Sequence, residues 1–156
     1  MSEIRANTRI MQHILVIDDD IAVRAAVKAV LAREGYDVTA AEDGRSGLAA
    51  IDTHLYDLII VDIFMPGMDG LEAIRRIKQR APLVPIIAIS GFLFRDSSVP
   101  APDFLTMATK LGAAGSLHKP FRPHELLAAV RTCLAPSIRM PTGVIGDPIT
   151  AADRAK

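Results

Sequence analysis

Leu58-Ile59-Ile60-Val61-Asp62 is the stretch that decides the fold. Its apolar run is continuous, as in a central strand buried on both faces, and it finishes in an acid. Ile14-Leu15-Val16-Ile17 repeats the pattern and finishes in Asp18-Asp19-Asp20. Neighbouring parallel strands set their carboxyl ends side by side, which is where open α/β sheets place ligand sites. Asp18, Asp19 and Asp62 then converge on one acidic pocket. Two carboxylates about 4 Å apart repel by roughly 4 kcal/mol at an effective dielectric near 20, so three together must protonate, spread apart or hold a cation. A hard divalent ion bound through oxygen, Mg²⁺ first, is the simplest solution. The competing reading is that each acid merely caps a helix or a turn.

Outward from these two runs, short β-type segments alternate with helical patterns, the signature of βαβ units around a parallel sheet. His13 to Ile17 reads as the first strand, and Ile21 to Arg33 as a helix with Val23, Val27, Val30 and Leu31 on one face, closed by Gly35. Val38 to Ala41 is a weaker strand, and Leu48, Ile51 and Leu55 mark the second helix. After the strand Leu58 to Val61, Asp69-Gly70 opens a third helix with Ile74 and Ile77 inward and Arg75, Arg76 and Lys78 outward. Ile86 to Ile89 is the fourth strand, ending at Ser90. Asp103 to Leu111, Gly115 to His118, and Pro123 to Leu134 complete the set, with Pro123 at a tolerated first-turn position. Residues 1–11 read as an N-terminal extension and 12–135 as one domain. Residues 136–156, with three prolines and two glycines, read as a flexible tail.

The chain has 156 residues, enough for one domain with a substantial core. Eighteen basic and eighteen acidic residues leave no net charge, so nothing draws the whole surface to nucleic acid or anionic lipid, and direct DNA binding is disfavoured. The lone Cys133 cannot form an internal disulfide, which fits a reducing compartment. The charged start Met1-Ser2-Glu3-Ile4-Arg5 is unlike a signal peptide, and no apolar stretch approaches the roughly 18–20 residues that span a membrane. A soluble cytoplasmic protein is expected. Neither a G-x-G-x-x-G nor a G-x-x-x-x-G-K-[ST] loop is present. His13, His54, His118 and His124 lack metal-ligand spacing, so they and Cys133 read as structural.

The order of residues resembles the receiver domains of two-component response regulators. The matching pieces are Ile17-Asp18-Asp19-Asp20, Val61-Asp62-Ile63-Phe64-Met65-Pro66-Gly67-Met68-Asp69-Gly70, Ile89-Ser90-Gly91 and Lys119-Pro120-Phe121, covering about His13 to Leu134. The resemblance implies a doubly wound, flavodoxin-like sheet of five parallel strands in the order 2-1-3-4-5 with helices on both faces. It implies that Asp62 takes a phosphoryl group from a histidine kinase or histidine phosphotransfer protein. It also implies that Asp19 and Asp62 ligate Mg²⁺ directly, that Phe64 contributes its backbone carbonyl, and that Asp18 helps through water.

Each role has its own chemistry. Asp62 as nucleophile repels an incoming phosphoryl group, as do Asp18 and Asp19, and Mg²⁺ removes that conflict. Lys119 offers a compact positive charge to a phosphoryl oxygen and pairs with Asp62 beforehand; Pro120 restricts its backbone and permits a cis bond. Ser90 offers one small hydroxyl to a phosphoryl oxygen. Pro66-Gly67 and Asp69-Gly70 shape the rim.

Two departures from the family pattern stand out. Members commonly carry Tyr or Phe three residues before the lysine, and here that position is Ser116, which cannot fill or vacate an aromatic pocket. The segment Phe92 to Phe104 is longer than the usual link, and Phe92 or Phe94 is expected to take over part of the aromatic signalling role. Phe64 and Phe92, each two residues after a site residue, are further expected to exclude water and slow phosphoryl loss.

The expected function is therefore a stand-alone phosphoacceptor whose only chemistry is its own phosphorylation and dephosphorylation, and which signals by protein contact. A homodimer through the fourth helix, fifth strand and fifth helix is a possible state of that surface. One alternative is a Mg²⁺-dependent phosphohydrolase with Asp62 as nucleophile, although Asp62-Ile63-Phe64 lacks a second acid two residues on. The other is a receiver-like binding module that never turns over phosphate.

Overall fold

The computed structural model describes residues 10–91 and 103–135. Within them, strands and helices alternate as β1 (His13–Ile17), α1 (Ile21–Arg33), β2 (Asp37–Ala41), α2 (Gly44–Thr53), β3 (Leu58–Asp62), α3 (Gly70–Arg80), β4 (Ile86–Ser90), α4 (Phe104–Lys110), β5 (Gly115–His118) and α5 (Pro123–Leu134). All strand pairs are parallel, in the order β2-β1-β3-β4-β5, the order expected from the sequence. Of the expected N-terminal extension, Ile10 and Met11 are described; the rest of it and residues 136–156 lie outside the described residues.

Successive side chains of a strand point to opposite faces, and here both faces are apolar. Leu15, Ile17, Ile59, Val61, Ile86 and Ala88 pack in one cluster with Leu48 of α2, Ala73, Ile74 and Ile77 of α3, and Leu105 and Ala108 of α4. Ile14, Val16, Leu58, Ile60, Ile87 and Ile89 pack in the other with Val27 and Leu31 of α1 and Leu126 and Val130 of α5. The sheet is thus covered by α2, α3 and α4 on one side and α1 and α5 on the other. This double cover explains the unbroken apolar runs of β1 and β3.

Aspartates after the strands start most of the helices. Asp20, Asp43, Asp69 and Asp103 each accept from backbone N–H groups in the first turn of α1, α2, α3 and α4, satisfying donors that have no partner inside the helix. At the other end of α1, Gly35 takes φ +88°, a left-handed conformation that favours glycine. Two expectations change. Leu55 does not lie on α2, because His54 adopts an extended backbone and ends the helix after Thr53; Leu55 is 94% exposed, and Tyr56 joins the buried cluster. Lys78 is half-buried rather than outward, since its ammonium donates to the Val84 carbonyl at 3.2 Å.

Candidate functional site

The C-terminal ends of β1, β3 and β4 and the turn after β5 bring Asp18, Asp19, Asp62, Ser90 and Lys119 to one end of the sheet. Asp62 closes β3 opposite Ile89, and Ser90 follows Ile89 at the end of β4. Lys119 follows β5, and its backbone N–H donates to the Ser90 carbonyl at 2.8 Å. The Lys119-Pro120 bond is cis. Asp18, Asp62 and Ser90 are the buried polar side chains among the described residues, and Asp19 beside them is exposed.

The Lys119 ammonium bridges two carboxylates, donating to Asp18 Oδ2 at 2.7 Å and to Asp62 Oδ2 at 3.2 Å. The second contact was expected; the shorter one, to Asp18, was not. The remaining oxygens meet backbone donors, Asp18 Oδ1 that of Asp20 at 2.9 Å and Asp62 Oδ1 that of Phe64 at 3.1 Å. One lysine therefore serves two buried acids. Burial, and next the charge of Asp18, push the Asp62 carboxyl up to about 6, against the opposing pull of Lys119 and the Phe64 N–H. Burial alone would lower Lys119, but its hydrogen bond to Asp18 and the charges of Asp62 and Asp18 outweigh it and hold its pKa above the ordinary value.

The helix-capping reading is correct for one residue of the triplet, and Asp18 Oδ1 in addition ties its own turn by accepting from Asp20 N–H. Asp20 spends its side chain on the N–H groups of Ala22 and Val23, whereas Asp18, Asp19 and Asp62 cap no helix. Each of these three offers an oxygen, and the three oxygens lie within 4.8 Å of one another. A crowded, oxygen-only donor set with one member open to solvent suits a hard divalent cation that keeps part of its water, as Mg²⁺ does. The set fits the expected ion.

The β3–α3 connection is held tightly against the sheet. Ile63 N–H donates to Ile89 O and Gly70 N–H to Ile63 O, both at 2.8 Å. A Cβ on Gly70 would lie 2.2 Å from the Asp62 carbonyl oxygen and 2.4 Å from Ile63 Cα, so only glycine permits this approach. The Phe64 ring is half-buried and packs on Phe104 at the start of α4. Ser116 is exposed on β5, paired in register with Ala88. Phe92 and Phe94 lie outside the described residues.

Two residues at the site were not singled out from the sequence. Phe104 had no motif to mark it. Arg24 carried a weak signal: a basic side chain on the opening turn of a helix opposes the helix dipole. In the fold its guanidinium reaches back and donates to the Asp18 carbonyl at 2.7 Å.

Comparison with known proteins identifies the family and the fold. The response regulator receiver domain profile matches residues 14–131. The "Uncharacterized transcriptional regulatory protein YkoG" of Bacillus subtilis (strain 168) is 35% identical over 122 residues, 78% of this chain and 50% of that protein. The chain thus spans about half the length of that relative. Among solved structures, the chemotaxis protein CheY4 of Vibrio cholerae superposes with a TM-score of 0.69 at 32% identity, covering 80% of this chain and 99% of its own. A CheY-like receiver domain protein of Methanospirillum hungatei JF-1 gives 0.72 at 28% identity, with 80% and 94% covered.

Proposed function

This chain belongs to the response regulator receiver domain family, and from that membership we propose that Asp62 is the phosphoacceptor of a two-component phosphorelay. The observation that carries the reading is the buried Asp62 carboxylate, crowded by Asp18 and sharing one ammonium with it. Such a cluster is costly unless ligands arrive to use it.

In the proposed step an Asp62 oxygen attacks the phosphorus of a phosphohistidine on a kinase or phosphotransfer protein. A P–O bond forms, the P–N bond breaks, and the imidazole leaves with its electron pair. Asp18, Asp19, Asp62 and the Phe64 carbonyl are the residues that would hold Mg²⁺, whose positive charge would offset the repulsion of the carboxylates for an incoming phosphoryl group. The Phe64 N–H orients the nucleophile through Asp62 Oδ1. Lys119 follows the negative charge, turning from Asp62 Oδ2 to a phosphoryl oxygen, and Ser90 donates its hydroxyl to another.

Output through protein contact at α4, β5 and α5, including a homodimer of that face, belongs to the same proposal, as does a cytoplasmic location. Among the described residues no helix is long and apolar enough to cross a membrane. Incubation with acetyl phosphate and Mg²⁺ followed by intact mass tests the step. Addition of one phosphoryl group, lost in Asp62→Asn and with chelator, supports it; phosphate release without an adduct points instead to a hydrolase, and neither adduct nor release to a binding module.

A further inference from the structure

We propose that Arg24 is a positioning residue for the cation pocket, holding the turn Asp18-Asp19-Asp20 in shape by gripping its backbone. The inference rests on the reading of Asp18, Asp19 and Asp62 as a Mg²⁺ site.

The turn is tied at three points. Asp20 N–H donates to Asp18 Oδ1 at 2.9 Å, Arg24 N–H donates to the Asp20 carbonyl at 3.0 Å, and Arg24 Nη1 donates to the Asp18 carbonyl at 2.7 Å. Asp18 N–H still belongs to the sheet, donating to Ala41 O at 3.1 Å, but its carbonyl lies past the end of β1 and is met by the guanidinium. The exposed Asp19 carboxylate has no hydrogen-bond or ion-pair partner among the described residues, so its direction depends on this turn.

The choice of acceptor matters. Asp18 and Asp62 each already give one oxygen to Lys119. A second cationic side chain on those carboxylates would compete directly with a metal ion for them. Arg24 takes a neutral carbonyl instead, so it orders the loop and leaves the carboxylate oxygens to the ion, the usual division of labour between a metal ligand and the group that orients it.

Removing Arg24 has two opposed consequences. Loss of its charge reduces repulsion of an incoming cation and tightens Mg²⁺ binding, whereas loss of the clamp loosens Asp19 and weakens it. The sign of the change therefore reports the role.

The test is calorimetric titration of the full chain with Mg²⁺, comparing wild type, Arg24→Ala, Arg24→Lys and Asp19→Asn, with urea unfolding in chelator to verify that each is folded. Expected is roughly tenfold weaker binding in Arg24→Ala, largely recovered in Arg24→Lys, which retains a donor. Saturating Mg²⁺ should then return phosphorylation by acetyl phosphate to the wild-type rate, since the defect is in ion affinity. Equal or tighter Mg²⁺ binding in Arg24→Ala overturns the positioning role. Absence of Mg²⁺ binding by the wild type overturns the reading of the pocket itself. Should Arg24→Ala fail to fold, Arg24→Met keeps the aliphatic stem and decides by the same sign.

Discussion

Phe64 and Phe104 meet edge to face, with ring centroids 4.8 Å apart and planes inclined by 82°. The contact joins the residue whose N–H holds Asp62 Oδ1 to the first residue of α4. It therefore links the loop of the proposed nucleophile to a helix of the proposed output face, in a chain that has Ser116 where the family resemblance implies an aromatic residue. Edge-to-face pairs contribute about 0.5–1.5 kcal/mol beyond their buried area. A double-mutant cycle of Phe64→Leu and Phe104→Leu, read by urea unfolding, should return a coupling in that range. The phosphorylation-dependent change in hydrogen exchange of α4 should shrink in both single variants. Additive effects with unchanged exchange would show the contact to be passive packing.

Asp62 makes metal-free stability depend on pH. Its carboxyl titrates near 6 in the fold, above the ordinary 3.8, so between about pH 4 and 6 the folded protein binds a proton that the unfolded chain has lost. Stability from this group is present below that window and is lost as pH rises through it. The loss amounts to roughly 1–3 kcal/mol. Asp62→Asn should flatten the fall and be the more stable protein at pH 7.5 in chelator. Parallel pH profiles for the two, measured by urea midpoints, would refute this.

Lys119 is the cation that Asp18 and Asp62 share. Lys119→Met leaves two buried carboxylates without it, a defect that costs about 3–5 kcal/mol where a buried pair is broken. Mg²⁺ should stabilise Lys119→Met more than wild type, because the ion replaces the missing charge. Thermal unfolding with and without Mg²⁺ measures the difference; equal Mg²⁺-induced shifts would contradict it.

Gly70→Ala should destabilise by about 3 kcal/mol or more, as a Cβ there strikes backbone of Asp62 and Ile63 that cannot move aside. Gly115→Ala is the matched control, since its Cβ would meet Cys133 Sγ at 3.5 Å and Ile87 Cγ1 at 3.6 Å in ordinary contact, and it should change stability by less than about 1 kcal/mol. Denaturant midpoints of similar size for the two would show that close approach at residue 70 is not limiting.

The strands were legible because double burial writes itself as unbroken runs such as Leu58 to Val61, and the convergence of Asp18, Asp19 and Asp62 followed from parallel pairing. Leu55 was misplaced because three apolar residues at helical spacing cannot reveal that His54 turns extended. Asp18 and Asp20 look alike in sequence; only the backbone decides that one faces Lys119 while the other caps α1. The grip of Arg24 on a carbonyl and the meeting of Phe64 with Phe104 depend on side-chain reach across elements, and no motif encodes either.

The most direct test is where the phosphoryl group goes. Borohydride reduces an acyl phosphate to the alcohol, so trapping after phosphorylation with acetyl phosphate and Mg²⁺ converts the modified aspartate to homoserine, and peptide mass spectrometry reads its position. Homoserine at residue 62 alone is the predicted result. Homoserine at Asp18 or Asp19, or at no aspartate despite a phosphoryl mass gain, would contradict the assignment of Asp62 as the phosphoacceptor.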